Sequence, residues 1–277
     1  MKRIAAIIII ALLGAGMLFY PAISNHLAEK NGSKAIETYA KQIAMLDEET
    51  LRMEWDKAEK YNENLTGSPV HDPFLEGSGI AMPEDYRWTL KVGGQMGYVE
   101  IPKIGVNLPI YHGTSDEVLQ KGTGHLEGST LPIGGAGRHS VITGHTGLVH
   151  AKIFTDLTEL KKKDLFYIHV LGKLLAYEVD QIKIIEPQIT GDLMCFEGKD
   201  YVTLMTCTPY GINSHRLLVR GERVPYDPEA KDRIKQAGPS NANAQIIRAA
   251  VITTAIVLTV IFIVAAAMRR KERRGRA

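Results

Sequence analysis

Thr203-Leu-Met-Thr-Cys207-Thr-Pro-Tyr-Gly-Ile-Asn-Ser-His-Arg216-Leu-Leu-Val-Arg220 decides how the 277-residue chain is read. Val202 to Thr206 is rich in apolar and β-branched residues and predicts a short strand, closed by Pro209 and Gly211. Arg216 to Arg220 predicts its partner strand. A period of two puts Arg216, Leu218 and Arg220 on one face and Leu217 and Val219 on the other. Cys207 therefore falls where a strand gives way to a loop, with a guanidinium close by. That is a fitting place for a nucleophilic thiol.

Working outward, residues 97 to 225 carry short strand patterns punctuated by Gly and Pro. They are Gly97–Ile101, Leu108–His112, Ser140–Thr143, Leu165–Val170, Lys173–Val179, Ile182–Ile185, Tyr201–Thr206 and Arg216–Arg220. Eight such strands predict a mainly β domain, a sandwich or a closed barrel, over residues 90–226. Helical turns are expected near Ser115–Leu119 and Ala151–Leu160. Residues 33–65 are helical by their spacing of Ile36, Tyr39, Ile43 and Leu46, then Leu51, Trp55 and Ala58. Residues 66–83 are broken by Gly, Ser and Pro around His71-Asp72-Pro73-Phe74, the pattern of a connecting loop or a lid. Residues 227–245 are polar, contain Pro and Gly, and suggest a tether.

Both ends are apolar. Residues 246–268 are long enough to cross a hydrocarbon core, which takes about 20 residues. Residues 1–22 hold a second apolar stretch behind Lys2-Arg3, expected to be an uncleaved anchor rather than a removed signal peptide. Basic residues precede the first stretch and follow the second, in the tail 269–277. This places both termini in the cytoplasm and the intervening domain outside the cell membrane. With 33 basic and 31 acidic residues, a net charge of +2 gives no footprint for nucleic acid. Cys195, among Leu193, Met194 and Phe196, is expected to be structural, and Cys207 to be a free thiol rather than one end of a disulfide.

Thr143-Gly-His145-Thr-Gly147 supplies the second group. His145 follows a strand end between glycines that free the backbone and admit a substrate. His125, His139 and His150 lie near it in sequence, but no His-x3-His or Cys-x2-Cys spacing occurs there, so no metal is expected. Thiol, imidazole and guanidinium cover the nucleophile, the acid/base and the charge stabiliser of an acyl transfer. Arg216 cannot be the base, because a guanidinium stays protonated.

The strings carrying these groups resemble the sortase family. Thr203-Leu-Met-Thr-Cys207 with Arg216 is similar to the sortase nucleophile signature, and Thr143-Gly-His145 to its histidine motif. Tyr111-His-Gly-Thr-Ser115, Gly124-His-Leu-Glu-Gly-Ser129 and Cys207-Thr-Pro-Tyr-Gly-Ile-Asn213 resemble class C, the pilin-polymerising sortases. The resemblance implies an eight-stranded β-barrel with short helices, an N-terminal helical segment and two flanking transmembrane helices. It makes Asp72, Pro73 and Phe74 a lid over Cys207, His145 and Arg216, with Thr143 and Thr206 at the substrate. It implies a transpeptidase that needs no cofactor. Such an enzyme cleaves a Leu-Pro-x-Thr-Gly-like signal through a thioester and joins pilin subunits through a lysine. A sortase anchoring single proteins to the cell wall, and a non-catalytic exported binding module, are the alternatives.

Overall fold

The computed structural model describes residues 2–65, 70–75 and 84–238, with isolated positions at 252, 255, 259 and 266. Most side chains of residues 2–18, and nearly all of residues 239–277, lie outside the described residues. So does the C-terminal stretch expected to span a membrane. Among the described residues, no helix is long and apolar enough to cross one.

Eight strands close into a barrel. They are β1 (Gly97–Ile101), β2 (Val106–His112), β3 (Thr123–His125), β4 (Arg138–Thr143), β5 (Leu165–Val170), β6 (Lys173–Ile185), β7 (Asp200–Thr208) and β8 (His215–Val224). Their order around the barrel is β1-β2-β3-β4-β7-β8-β6-β5. The pairs β2/β3 and β4/β7 are parallel and the rest antiparallel. Two details depart from the sequence pattern. Lys173–Val179 and Ile182–Ile185 are one strand, and the interruption is a bulge at Asp180. Asp180 is held there by Arg220, with Nε at 3.1 Å and Nη2 at 2.5 Å. The eighth strand is instead β3, whose three residues include Gly124.

The alternation read in Arg216–Arg220 sets the layers. Leu217 and Val219 join Val202, Leu204, Phe166 and Tyr177 in the barrel core. Leu218 faces outward and packs with Val141, Leu126 and Met205 in a second, smaller apolar cluster. β7 thus has both faces covered, which is why it reads as a nearly unbroken apolar run.

The N-terminal helices clasp the barrel from outside. α1 (Lys2–Met45) sets Tyr39 and Ile43 into the core, and the Tyr39 hydroxyl donates to the Met96 carbonyl at 3.0 Å and accepts from the Leu171 amide at 2.8 Å. Asp47 caps α2 (Glu48–Asn64) by accepting from the Thr50 amide at 2.6 Å. The Asn62 side chain then pairs with both backbone groups of Leu131, at 2.7 and 3.2 Å. α3 (Glu84–Trp88) and α4 (Asp116–Leu119) are short. Where Ala151–Leu160 suggested a helical turn, one 310 turn forms over Thr155–Glu159.

The expected tether at 227–245 begins with a helix, α5 (Pro228–Ala237), capped by Asp227. Its composition hid it because its anchors are tertiary. Lys231 and Lys235 both reach Glu100 on β1, at 2.6 and 2.9 Å, and His169 reaches the same carboxylate at 2.9 Å. Residues 239–245 of the tether lie outside the described residues.

Candidate active site

Cys207 and Arg216 are direct cross-strand partners of β7 and β8, so their side chains leave the same, outer face of the barrel. β7 runs through Cys207 to Thr208, so the thiol stands within the strand's last residues rather than after its end. β4 lies parallel to β7 with Thr143 opposite Met205. Two residues further along, His145 comes level with Cys207. Its loop is fixed from three sides. The Gly144 amide donates to Met205 O at 3.0 Å, Thr206 Oγ1 donates to Gly144 O at 2.7 Å, and the Phe154 amide donates to His145 O at 3.0 Å. Gly147 has φ +77°, in keeping with the freedom read in the motif. Gly144 is needed for room instead, since a Cβ there would come within 2.7 Å of the Phe154 ring.

Cys207, His145 and Arg216 line one cavity of about 580 Å³ together with His71, Pro73 and Phe74. Asp72 meets the Arg216 guanidinium through both carboxylate oxygens, Oδ2 to Nε at 2.6 Å and Oδ1 to Nη2 at 3.0 Å. The two side chains are only 2% and 4% exposed, so this is a buried, bidentate ion pair. Arg216 Nη1 donates to the carbonyls of Asn213 and His215. The turn carrying Asp72 is preset by Pro73 and by the Phe74 amide, which donates back to Asp72 Oδ1 at 2.9 Å. The Phe74 ring rests 5.5 Å from the His145 ring and 5.0 Å from the guanidinium carbon. Val70 and Phe74 pack on the outer apolar cluster, which gives this segment a floor. The rest of residues 66–83 lies outside the described residues.

Burial pushes the Cys207 thiol up to about 11; Arg216 opposes this shift and Asp72 adds to it. Burial also lowers His145, against the pull of Asp116. Both shifts favour the uncharged forms, a thiol and a neutral imidazole. No hydrogen bond joins them among the described residues.

Thr143 and Thr206, expected at the substrate, are both buried and set back from the cavity. Thr206 faces inward with Leu217 and its hydroxyl holds the histidine loop, while the Thr143 hydroxyl has no hydrogen-bond partner. Cys195 is exposed rather than structural, and both cysteines are free. Alternation in a sequence assigns a face but not what covers it. The cavity also takes in Thr114, Asp116, Glu127 and Asn213, which the sequence analysis did not single out. Thr114, Glu127 and Asn213 lie within the strings Tyr111–Ser115, Gly124–Ser129 and Cys207–Asn213, and Asp116 directly follows the first of them.

Two of the three histidines weighed as metal ligands, His125 and His139, hold the scaffold. His125 bonds the Tyr86 hydroxyl at 2.9 Å and Thr130 O at 2.8 Å. His139 bonds Met194 O at 2.8 Å and Thr203 Oγ1 at 2.7 Å. Burial lowers both rings to about 4. Their folded pKa lies below the ordinary 6.5, so they favour the fold above 6.5 and this support is lost as pH falls toward 4. The loss is on the order of 1.4 kcal/mol per histidine for each unit in that window. Urea denaturation at pH 7 and pH 5 checks it. The midpoint is expected to fall at pH 5, and to fall less when His139 is replaced by Gln.

Residues 99–224 match the sortase domain family. The chain is similar to crystal structures of sortase C-1 from Streptococcus pneumoniae, at 50% identity and TM-score 0.67, covering 70% of this chain and 100% of that one. It is also similar to a Streptococcus pneumoniae sortase C whose structure was described for its catalysis and pilin substrate specificity. That likeness is 46% identical, with TM-score 0.65, over 70% of this chain and 97% of the other. Sortase D of Bacillus subtilis (strain 168) is 29% identical over 81% of this chain and its own full length.

Proposed function

This chain belongs to the sortase family, as a class C sortase and so a cysteine transpeptidase, and on that premise we propose that it joins pilin subunits covalently at the outer face of a cell membrane. Cys207 attacks the Thr carbonyl of a Leu-Pro-x-Thr-Gly-like signal. The thiol proton passes to His145, the C–S bond forms and the Thr–Gly C–N bond breaks. His145 returns that proton to the leaving Gly amine. Arg216 faces the oxyanion formed on attack. A lysine amine of the next subunit then resolves the thioester to an isopeptide bond. Residues 1–22 and 246–268 anchor the chain, with both termini cytoplasmic.

The observation that carries this is the Asp72–Arg216 pair beside Cys207. Asp72 occupies the guanidinium donors Nε and Nη2, and Phe74 covers the imidazole. The described conformation is therefore a resting one, in which the lid stands where the oxyanion and signal peptide go. The kinship with a sortase C described for pilin substrate specificity supports pilin as the substrate.

The test is to incubate the full chain, with Asp72→Ala to release the lid, with a pilin bearing its sorting signal. Covalent ladders that survive boiling in detergent are expected. Their absence, with the signal peptide transferred to a peptidoglycan amine instead, would make it an anchoring sortase.

A further inference from the structure

The two strings left without a role supply part of the lining of the cavity that the lid also lines. β2 and β3 are parallel with His112 opposite His125. Two residues beyond each, Thr114 and Glu127 come together at the strand ends. The Thr114 amide donates to Glu127 Oε1 at 3.1 Å and the Thr114 hydroxyl to Oε2 at 2.7 Å. Behind them the wall is rigid. The buried Tyr86 hydroxyl meets His125 and takes the Gly113 amide at 3.1 Å, and Ser129 ties His125 to Leu126. Glu127 is thus half-buried and fixed at both oxygens, on the cavity that holds Cys207.

The charges in this cavity are unequal. Arg216 has its carboxylate in Asp72, whereas no cationic side chain pairs with Glu127 among the described residues. Asp116 lies on the same rim and is close enough to act on the His145 charge. A carboxylate held in place, half-desolvated and lacking a cation suits a ligand that brings one. Resting on the function proposed above, we infer that Glu127 is the residue that gathers the acceptor's primary ammonium group beside the thioester on Cys207. The ammonium loses one proton to solvent and its nitrogen lone pair attacks the thioester carbon. The C–N bond forms, the C–S bond breaks, and the second amine proton passes through His145 to the sulfur. Glu127 is a positioning residue, raising the amine's local concentration without taking part in bond making.

The full chain carrying Asp72→Ala to release the lid, the parent of this test, is given a Leu-Pro-x-Thr-Gly-type peptide, then either Nα-acetyl-lysine amide, cationic at neutral pH, or hydroxylamine, which is neutral there. The ratio of amine product to hydroxamate is read for the parent, Glu127→Gln and Glu127→Asp. Glu127→Gln is expected to lower the ratio about fivefold through a higher KM for the amine, with kcat for the amine little changed. Glu127→Asp restores much of it. In the parent chain alone, raising the salt from 0.05 to about 0.5 M lowers the same ratio. An unchanged ratio in Glu127→Gln and across salt overturns the inference, as does an equal fall for both nucleophiles. Failure of the parent to form any thioester contradicts the proposed function instead.

Discussion

Replacing Asp72 by alanine is expected to speed alkylation of Cys207 by at least about tenfold at pH 7. In the resting site the thiol is raised from 9.0 to about 11, chiefly by burial, and the Asp72 carboxylate adds to the shift. Releasing the lid removes the Asp72 charge and uncovers the lid's side of the cavity, and leaves Arg216, which acts the other way. A return of two units would raise the thiolate fraction at neutral pH roughly 100-fold. A less basic thiolate is intrinsically less nucleophilic, which takes back roughly tenfold. The opened path to the sulfur adds to what remains. The pH profile of alkylation should move in the same sense, its midpoint falling from about 11 toward the ordinary thiol range. Phe74→Ala should have a smaller effect, because it uncovers His145 but leaves the Asp72–Arg216 pair in place. Alkylation of Asp72→Ala at the parent rate would remove the lid's role.

Arg216→Lys should act in two opposite directions. Lysine keeps the positive charge but lacks the planar fork that Asp72 grips through Nε and Nη2. The lid is held less firmly, so alkylation of Cys207 rises. An ammonium cannot present the same paired donors to an oxyanion, so peptide cleavage falls by roughly 100- to 1000-fold in kcat/KM. General damage to the fold would not raise one rate and lower the other. Near-normal cleavage in Arg216→Lys would show that the guanidinium does not serve the oxyanion.

Cys207, His145 and Arg216 were legible because their positions follow from strand periodicity. One β-branched run and its partner strand put thiol and guanidinium on one face, and β4 brings the imidazole level with them. The barrel was legible for the same reason, although its strand count matched through two offsetting misreadings. The break at Asp180 divides one strand into two in the pattern, because a bulge and a turn interrupt alternation alike. β3 was missed because three residues with a central glycine carry no period. α5 was missed because its hold on the barrel is a pair of lysines on Glu100, not an apolar stripe. The burial of Thr143 and Thr206 and the exposure of Cys195 were not legible, for a common reason. Whether a residue is covered depends on segments distant in sequence. The Thr114–Glu127 pair is a product of parallel register between β2 and β3, which no local pattern reveals.

Intact-mass measurement of the full chain, with the lid released by Asp72→Ala and a sorting-signal peptide supplied, bears on whether Cys207 is the acylated nucleophile. The mass should rise by the acyl part of the peptide up to its Thr. The adduct should map to Cys207, vanish with hydroxylamine, and be absent in the same chain carrying Cys207→Ala. An adduct of equal yield in that Cys207→Ala chain, or peptide cleavage there at the parent rate, would contradict it.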